Sequence, residues 1–457
     1  MKQLQFTYHI TDAITPLDGR NRHKLQALTP FLSELALNKY RIYVEIEYLK
    51  ALSKHKVIRP FTQKEIADLN KLSDSFDEED YKKLREIEST TNHDLQAVVV
   101  YIQRHLERSS LKDQMEMVHF GLTSDDINNL AYALMTHGAL KDVLLPEVIR
   151  VEKKLREISQ AYKNIPMLGR THGQFAAPTI FGKEMEVFKS RLSNEIKILK
   201  NHKLHGKLNG NVGNLNAHTL IFPKTNWINF TKSFVSSLGL ITDLLTTQIE
   251  PYDSYIYLFQ TLFRINNILN GLCKDMWTYA MLGYVTQKVV KKEVGSTALP
   301  HKVNPIYFEG AEGGFGLANA LFSFYSEKLS YSRLQRDLSD STVRRSFGMA
   351  FAYSYLSYQS IVEGLDRIAP NKIKMEADLS EHFEVLSEAV QNMLRAQGVK
   401  AAYQKAKDFF RGAKVTQASY QKFVESLPIQ KEESEKLINL TPQTYIGVAE
   451  KLATYEK

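Results

Sequence analysis

Cysteine is almost absent: Cys273 is the single one among 457 residues, so the chain cannot form an internal disulfide. It sits in the apolar, helix-like run ILNGLCKDMW, which marks a buried structural thiol rather than a nucleophile and fits a reducing compartment. No stretch reaches the roughly 18 apolar residues needed to cross a bilayer, and the opening MKQLQFTYHI has no apolar secretory core. No membrane association is expected, and the expected location is the cytoplasm. Strand-like alternation is scarce, and there is no low-complexity tract, clear repeat, zinc-finger spacing or aromatic-basic RNA-binding signature. A net charge of +8 and a pI near 9.1 invite a polyanion. The cations, however, are interleaved with acids in segments such as DEEDYKKLREIE and RVEKKLREIS, the pattern of solvated helix faces. Nucleic acid is therefore not an expected partner, whereas a small anionic substrate is compatible with this balance.

What the chain has is ordinary globular material, 43% hydrophobic and 24% charged, in amphipathic helical patterns. Apolar residues recur at three- and four-residue spacing through 32–52, 140–162, 183–205, 255–290 and 317–329. Such segments exceed the usual dozen or so residues of a globular helix. The expected class is all-α, built on a bundle of long helices. Segment 255–290 is apolar on more than one face, as a helix buried in both a core and an interface would be. Three stretches rich in glycine, proline and small polar residues interrupt the pattern, and each is expected to be a loop or turn between helices: RTHGQFAAPT (170–179), GKLNGNVGNLNAH (206–218) and EVGSTALPHKVNP (293–305). Further boundaries are expected near 110–115 and near 367–374.

The third stretch is the most informative. Between two prolines it places Lys302 and Asn304, with Ser296 just upstream. Abstraction of a carbon-bound proton beside a carboxylate creates a carbanion whose charge needs such donors. Ser296 would serve as the base only where a local positive field favours its alkoxide. The plain alternative is a structural turn. For His172, the alternative to a proton-transfer role is an imidazole bonded to loop backbone.

The stretch resembles the signature loop of the fumarase/aspartase superfamily, Gly-Ser-Ser-x-x-Pro-x-Lys-x-Asn-Pro. Ser296, Pro300, Lys302, Asn304 and Pro305 match in register, and Thr297 replaces the second serine. Arg170-Thr171-His172-Gly173-Gln174 is similar to the histidine loop of the same superfamily. Five further blocks resemble the adenylosuccinate lyase family of the bacterial type: Pro16-Leu17-Asp18-Gly19-Arg20, Thr90-Thr91-Asn92-His93-Asp94, Leu122 through Asn129, Thr246 through Pro251, and Gln335 through Arg345.

The resemblance implies anti β-elimination of fumarate from adenylosuccinate to give AMP, and from the succinylated aminoimidazole carboxamide ribotide (SAICAR) to give AICAR, in purine nucleotide biosynthesis. It implies Ser296 as base, His172 as the partner that protonates the leaving nitrogen, Lys302 and Asn304 as carbanion stabilisers, and His93 beside the catalytic histidine. Arg20, Asn21, Ser341, Thr342 and Arg345 would take the phosphate, for which the arginine fork is suited. Thr123, Ser124, Lys302, Asn304 and Arg336 would hold the succinyl carboxylates. Gln248, Thr171 and the Asn92-His93-Asp94 turn would orient the reacting end and the purine. Singly, each block has a plain structural alternative: TTNHD, for instance, reads as a helix cap. Two departures stand out: Asn21 where the family has tyrosine, which changes the phosphate pocket, and Phe175 where proline is common, read as loop packing. The resemblance also implies three helical domains, at 1–115, 116–368 and 369–457, and a homotetramer with shared active sites. It calls for no metal or organic cofactor. Argininosuccinate lyase, fumarase and a non-catalytic protein on the same scaffold, as some lens crystallins are, stay open as alternatives. The phosphate-suited arginines argue against the first two, and retention of Ser296 and His172 argues against the third.

Overall fold

The computed structural model describes residues 13–290 and 295–455; Glu293 and Val294 of the signature stretch lie outside the described residues. In chain order, the elements that carry the argument are helix α1 (Glu34–Lys54), α2 (Glu78–Thr91), α3 (Asp94–Leu106), α4 (Ser124–Ala139) and α5 (Leu145–Ala161). Strands β1 (Pro166–Thr171) and β2 (Gln174–Ile180) follow, then helix α6 (Phe181–Asn201), short strands β3 (His205–Gly206) and β4 (Ile241–Thr242), and α7 (Asp253–Met281). Strand β5 (Val285–Gln287), α8 (Ile306–Lys328), α9 (Ser339–Arg344), α10 (Phe347–Asp366), β6 (Ile368–Pro370) and α11 (Lys372–Glu381) complete the set. The all-α class holds, since the strands form only three two-stranded pairs among the described residues. No described helix is long and apolar enough to cross a membrane.

Two compact units divide the chain. The first comprises 1–147, 196–266 and 314–357; the second comprises 148–195, 267–313 and 358–457.

In the first unit α1 packs on α4. Ser33 starts α1 by accepting the Ala36 N–H at 3.1 Å, satisfying one of the donors a helix N-terminus leaves open. An aromatic core joins Phe259, Phe322, Tyr325 and Phe347, with Phe259 and Phe347 edge to face at 4.9 Å. Burying each such ring contributes roughly 1.5–3 kcal/mol. In the second unit, Ser159 Oγ on α5 lies within hydrogen-bonding distance of the carbonyls of Gly182 (2.8 Å) and Ala453 (2.7 Å), between which its one proton is shared, tying α6 and the C-terminal segment to α5. A separate apolar core gathers Phe383, Leu386, Val390, Leu394, Phe410 and Tyr420.

Several helix limits differ from the sequence pattern. The helix expected to reach 290 stops at Met281, because Gly283 turns the chain at φ +71° and Val285–Gln287 then pairs with Ile368–Pro370. The helix expected from 317 begins eleven residues earlier, at Ile306, and runs through the glycines of EGAEGGFG. Packing explains one of them: a Cβ at Gly314 would lie 2.2 Å from Ser357 Oγ. A π-helical turn at Leu140–Leu144 joins α4 to α5.

The stretch at 170–179, expected as a loop or turn, is a turn flanked by the paired strands of a β-hairpin. Thr171 pairs with Gln174 across a two-residue turn in which His172 (φ +53°) and Gly173 (φ +76°) both take positive φ. That is the backbone a tight right-twisted hairpin requires, and the His-Gly pair disguised it as a loop. At the bulge, Gly169 leaves room that a side chain would lack, since a Cβ there would meet the Ala177 carbonyl at 2.5 Å.

Candidate active site

The second unit carries His172, Ser296, Lys302 and Asn304. His172 stands exposed at the hairpin tip, and among the described residues no hydrogen bond holds its ring. A non-glycine residue at positive φ costs about 1–3 kcal/mol and persists only where its surroundings over-determine it. Here the strands close on both sides of the turn, and Arg170 Nη1 donates to the Gly173 carbonyl at 3.3 Å. Thr171 is the last residue of β1.

From Gly295 to Pro305 the signature stretch is a loop, as expected, and it closes on itself. Asn304 Nδ2 donates to the Gly295 carbonyl at 2.9 Å, and the Lys302 N–H donates to Leu299 O at 3.0 Å. A Cβ at Gly295 would fall 2.1 Å from the Lys302 carbonyl, so the loop's two limbs meet only because that residue is glycine. Ser296 Oγ accepts from the N–H groups of Leu299 at 3.1 Å and Ala298 at 3.3 Å. Two donors aimed at one hydroxyl oxygen favour its negatively charged form. The Lys302 ammonium is exposed, and Gln287 Nε2 anchors the loop through the Val303 carbonyl at 3.0 Å.

In the first unit the family-like blocks are interlocked by buried charge. Asp94, first residue of α3, takes Arg41 on one side (2.7 Å) and Arg345 on the other (2.8 Å). Arg41 is buried and also reaches Asn128 at 2.8 Å and Asn38 at 3.2 Å. Burial works against the Asp94 carboxylate, but the adjacent Arg41, with help from the Leu95 N–H and Arg345, holds its pKa down at about 2. Arg344, fully buried, lies 2.9 Å from Asp125 and 3.0 Å from Asp340. Tyr252 donates to Asp340 at 3.0 Å. Arg336 faces the same two acids at 3.9 and 3.6 Å and donates to Gln248 Oε1 at 3.3 Å, while Gln248 Nε2 donates to Asn211 Oδ1 at 2.6 Å. Gln248 and Arg336, expected in separate roles on the reacting end and on the carboxylates, are therefore neighbours.

A second buried pair, Lys207 with Asp126 at 2.9 Å, ties the loop after β3 to α4. The Asp126 carboxylate also accepts from the N–H groups of Thr123 (2.9 Å), Asn209 (3.0 Å) and Gly210 (3.1 Å). This fixes Thr123 and Ser124 at the start of the helix. Asn92 ends α2 in a left-handed conformation (φ +50°), and His93 Nδ1 caps α3 by accepting the Gln96 N–H at 3.2 Å. Acting as acceptor at Nδ1 places the neutral ring's proton at Nε2. The helix-cap alternative for TTNHD is realised, and it leaves the His93 Nε2 edge available. Ser341 and Thr342 lie on α9, one turn from Arg344 and Arg345. Arg20 and Asn21 sit in consecutive turns, with the Asn21 N–H on the Pro16 carbonyl at 3.0 Å, and Arg20 has no polar side-chain partner among the described residues.

Sequence reasoning passed over Asp125, Asp126, Arg344 and Asp340, although all stand within the quoted blocks. It also missed Arg41 and Lys207, which carry no local signal: each is a lone base whose acidic partner is distant in the chain. Among the described residues no cluster of three or more His, Cys, Asp or Glu could hold a metal. Cys273 is buried, and desolvation pushes its thiol up to about 12, consistent with a structural role.

The family described as "Lyase" matches residues 22–316, and the family described as "Adenylosuccinate lyase C-terminal" matches residues 332–446. The chain is 45% identical to the adenylosuccinate lyase of Dictyostelium discoideum, covering 95% of this chain and 96% of that one. It is 43% identical to that of Legionella pneumophila (96% and 98% covered) and 39% identical to that of Escherichia coli K12 (96% and 97%). Among solved structures, a fumarate lyase from Mesorhizobium sp. BNC1 superposes with a TM-score of 0.76 at 18% identity, covering 93% of this chain and 96% of that one. The 3-carboxy-cis,cis-muconate lactonizing enzyme of Pseudomonas putida gives 0.74 at 17% identity, covering 93% and 95%. At that identity the two structures speak to the shared fold alone.

Proposed function

The chain belongs to the adenylosuccinate lyase family and is a carbon-nitrogen lyase, and from that premise we propose that it removes fumarate from adenylosuccinate to give AMP and from SAICAR to give AICAR. The observation that carries this is identity of about two residues in five to adenylosuccinate lyases over 95–96% of this chain and 96–98% of theirs.

The reaction is an anti β-elimination. Ser296 takes the proton from the succinyl carbon beside a carboxylate, Lys302 and Asn304 stabilise the resulting carbanion, and His172 protonates the departing nitrogen as the C–N bond breaks and the C=C bond of fumarate forms. The two N–H groups donating to Ser296 Oγ support its role as base, because they answer the need for a field that favours the alkoxide. Arg20, Asn21, Ser341, Thr342 and Arg345 take the phosphate. Thr123, Ser124 and Arg336 join Lys302 and Asn304 on the carboxylates. Gln248, Thr171, Asn92, His93 and Asp94 orient the purine and the reacting end. The pairing of Gln248 with Arg336 supports a joint role for those two. The working form is a cytoplasmic homotetramer of three-domain subunits, divided at 1–115, 116–368 and 369–457, with active sites shared between copies. No metal or organic cofactor takes part.

Turnover of adenylosuccinate, followed by the absorbance change of the purine and by fumarate release, tests the reading. Release of fumarate from argininosuccinate, with none from adenylosuccinate, would overturn it.

A further inference from the structure

We propose that Phe175 is a positioning residue for His172: in contact with both Arg170 and His382, it fixes the hairpin turn on which His172 stands. The proposal rests on the reading of His172 as the proton donor.

Five observations converge on it. Arg170 and Phe175 are cross-strand partners one step out from the turn. That step beyond a two-residue turn is the non-hydrogen-bonded kind of pair, in which facing side chains come closest. The Arg170 guanidinium accordingly lies over the Phe175 ring at 4.3 Å. The ring also meets the His382 imidazole, with centroids 3.9 Å apart and planes 39° apart. The imidazole is itself held through Nδ1 by Glu384 at 2.6 Å. The same Arg170 side chain reaches the Gly173 carbonyl, inside the turn, at 3.3 Å.

The consequence follows from the backbone. His172 adopts a positive φ, uncommon for a residue with a Cβ, and its side chain finds no hydrogen bond among the described residues to hold it there. Strand pairing sets the register, but the turn's outer edge is exposed, and the contacts that load it are those of Arg170. Phe175 orients that guanidinium by its π face, and His382 with Glu384 orients Phe175. Proline at 175 would retain the hairpin, since that pair needs no N–H, but its ring offers neither the cation nor the imidazole a π face. The arrangement thus belongs to this chain's own residue at 175.

The test uses full-length Phe175→Ala, Phe175→Trp and His382→Ala, with steady-state kinetics and hydrogen exchange of the segment 166–180. Misplacing a reacting group by about an ångström costs up to about a hundredfold in rate. Phe175→Ala is expected to lower kcat about tenfold with KM within about twofold, and to speed exchange in 166–180 about tenfold. His382→Ala should do the same less strongly, and Phe175→Trp should restore both readouts. Thermal unfolding should stay at the wild-type temperature, since the ring is part-exposed. Wild-type kcat and exchange in Phe175→Ala would overturn the proposal, as would a loss that Phe175→Trp leaves unrepaired. If the wild-type chain released no fumarate, the proposed reaction would fall, and the exchange readout would still decide whether Phe175 holds the turn.

Discussion

The two units present their functional residues in opposite ways. In the first, the side chains suited to phosphate and carboxylate stand beside buried ions: Arg345 shares Asp94 with Arg41, and Arg336 shares Asp125 and Asp340 with Arg344. In the second, His172 sits on an exposed turn and Ser296 in a loop closed by its own backbone. The contrast fits what each group would do in the proposed reaction. A guanidinium that meets an oxyanion needs a fixed direction, and buried carboxylates supply it while discharging the cost of desolvating the cation. A group that moves a proton needs access and a tuned local field, which turn geometry and backbone N–H groups provide without neutralising it.

Substitutions can break this comparison at either end. The largest effect is expected at the exposed end. His172→Ala and Ser296→Ala should each lower kcat by roughly a thousandfold, within the range of about 10²–10⁴ for proton-transfer groups, while leaving urea unfolding unchanged. A variant that kept its rate would remove that residue from the mechanism. At the buried end the order of effects reverses. Arg344→Met leaves Asp125 and Asp340 without their closest cation and should destabilise the chain by about 3–5 kcal/mol in urea unfolding, with loss of activity following loss of fold. Wild-type stability there would mean that the buried ions do not hold the recognition blocks together.

A smaller effect sharpens the comparison through pH. His218, buried against Phe120 and Trp227 and within 3.1 Å of the Tyr48 hydroxyl, has its pKa lowered by desolvation to about 4 from 6.5. The unfolded chain therefore binds this proton more readily than the folded one. Its stabilising influence is complete above pH 6.5 and is lost as pH falls toward 4, a swing of roughly 3 kcal/mol at about 1.4 kcal/mol per pKa unit. Stability measured from pH 7 to pH 4 should fall less steeply in His218→Gln than in the parent chain. An unchanged slope would exclude His218 as a source of the acid sensitivity.

Much of this was legible residue by residue. The long helices showed in the apolar spacing, the loop at 295–305 in its glycine and prolines, and the helix cap at His93 in the TTNHD block. The hairpin around His172 was not, because a strand pair so short has little room for alternation, and its turn residues read equally well as loop. The limits of α7 and α8 were misjudged for a related reason: periodicity does not register the reversal at Gly283, nor the close approach that makes Gly314 acceptable within a helix. Asp125 and Asp126, adjacent and chemically alike, give no local sign that one faces Arg344 and the other Lys207.

By itself, the sequence determined the helical class, through the 3.6-residue period, and the chemical inventory of hydroxyl, imidazole, ammonium and arginines, through residue identity in ordered blocks. Tertiary structure alone decided which charges neutralise one another, which glycines admit a neighbour's backbone, and that His172 rides a strained turn. Those properties depend on distances between residues far apart in the chain, and a one-dimensional pattern carries no distances.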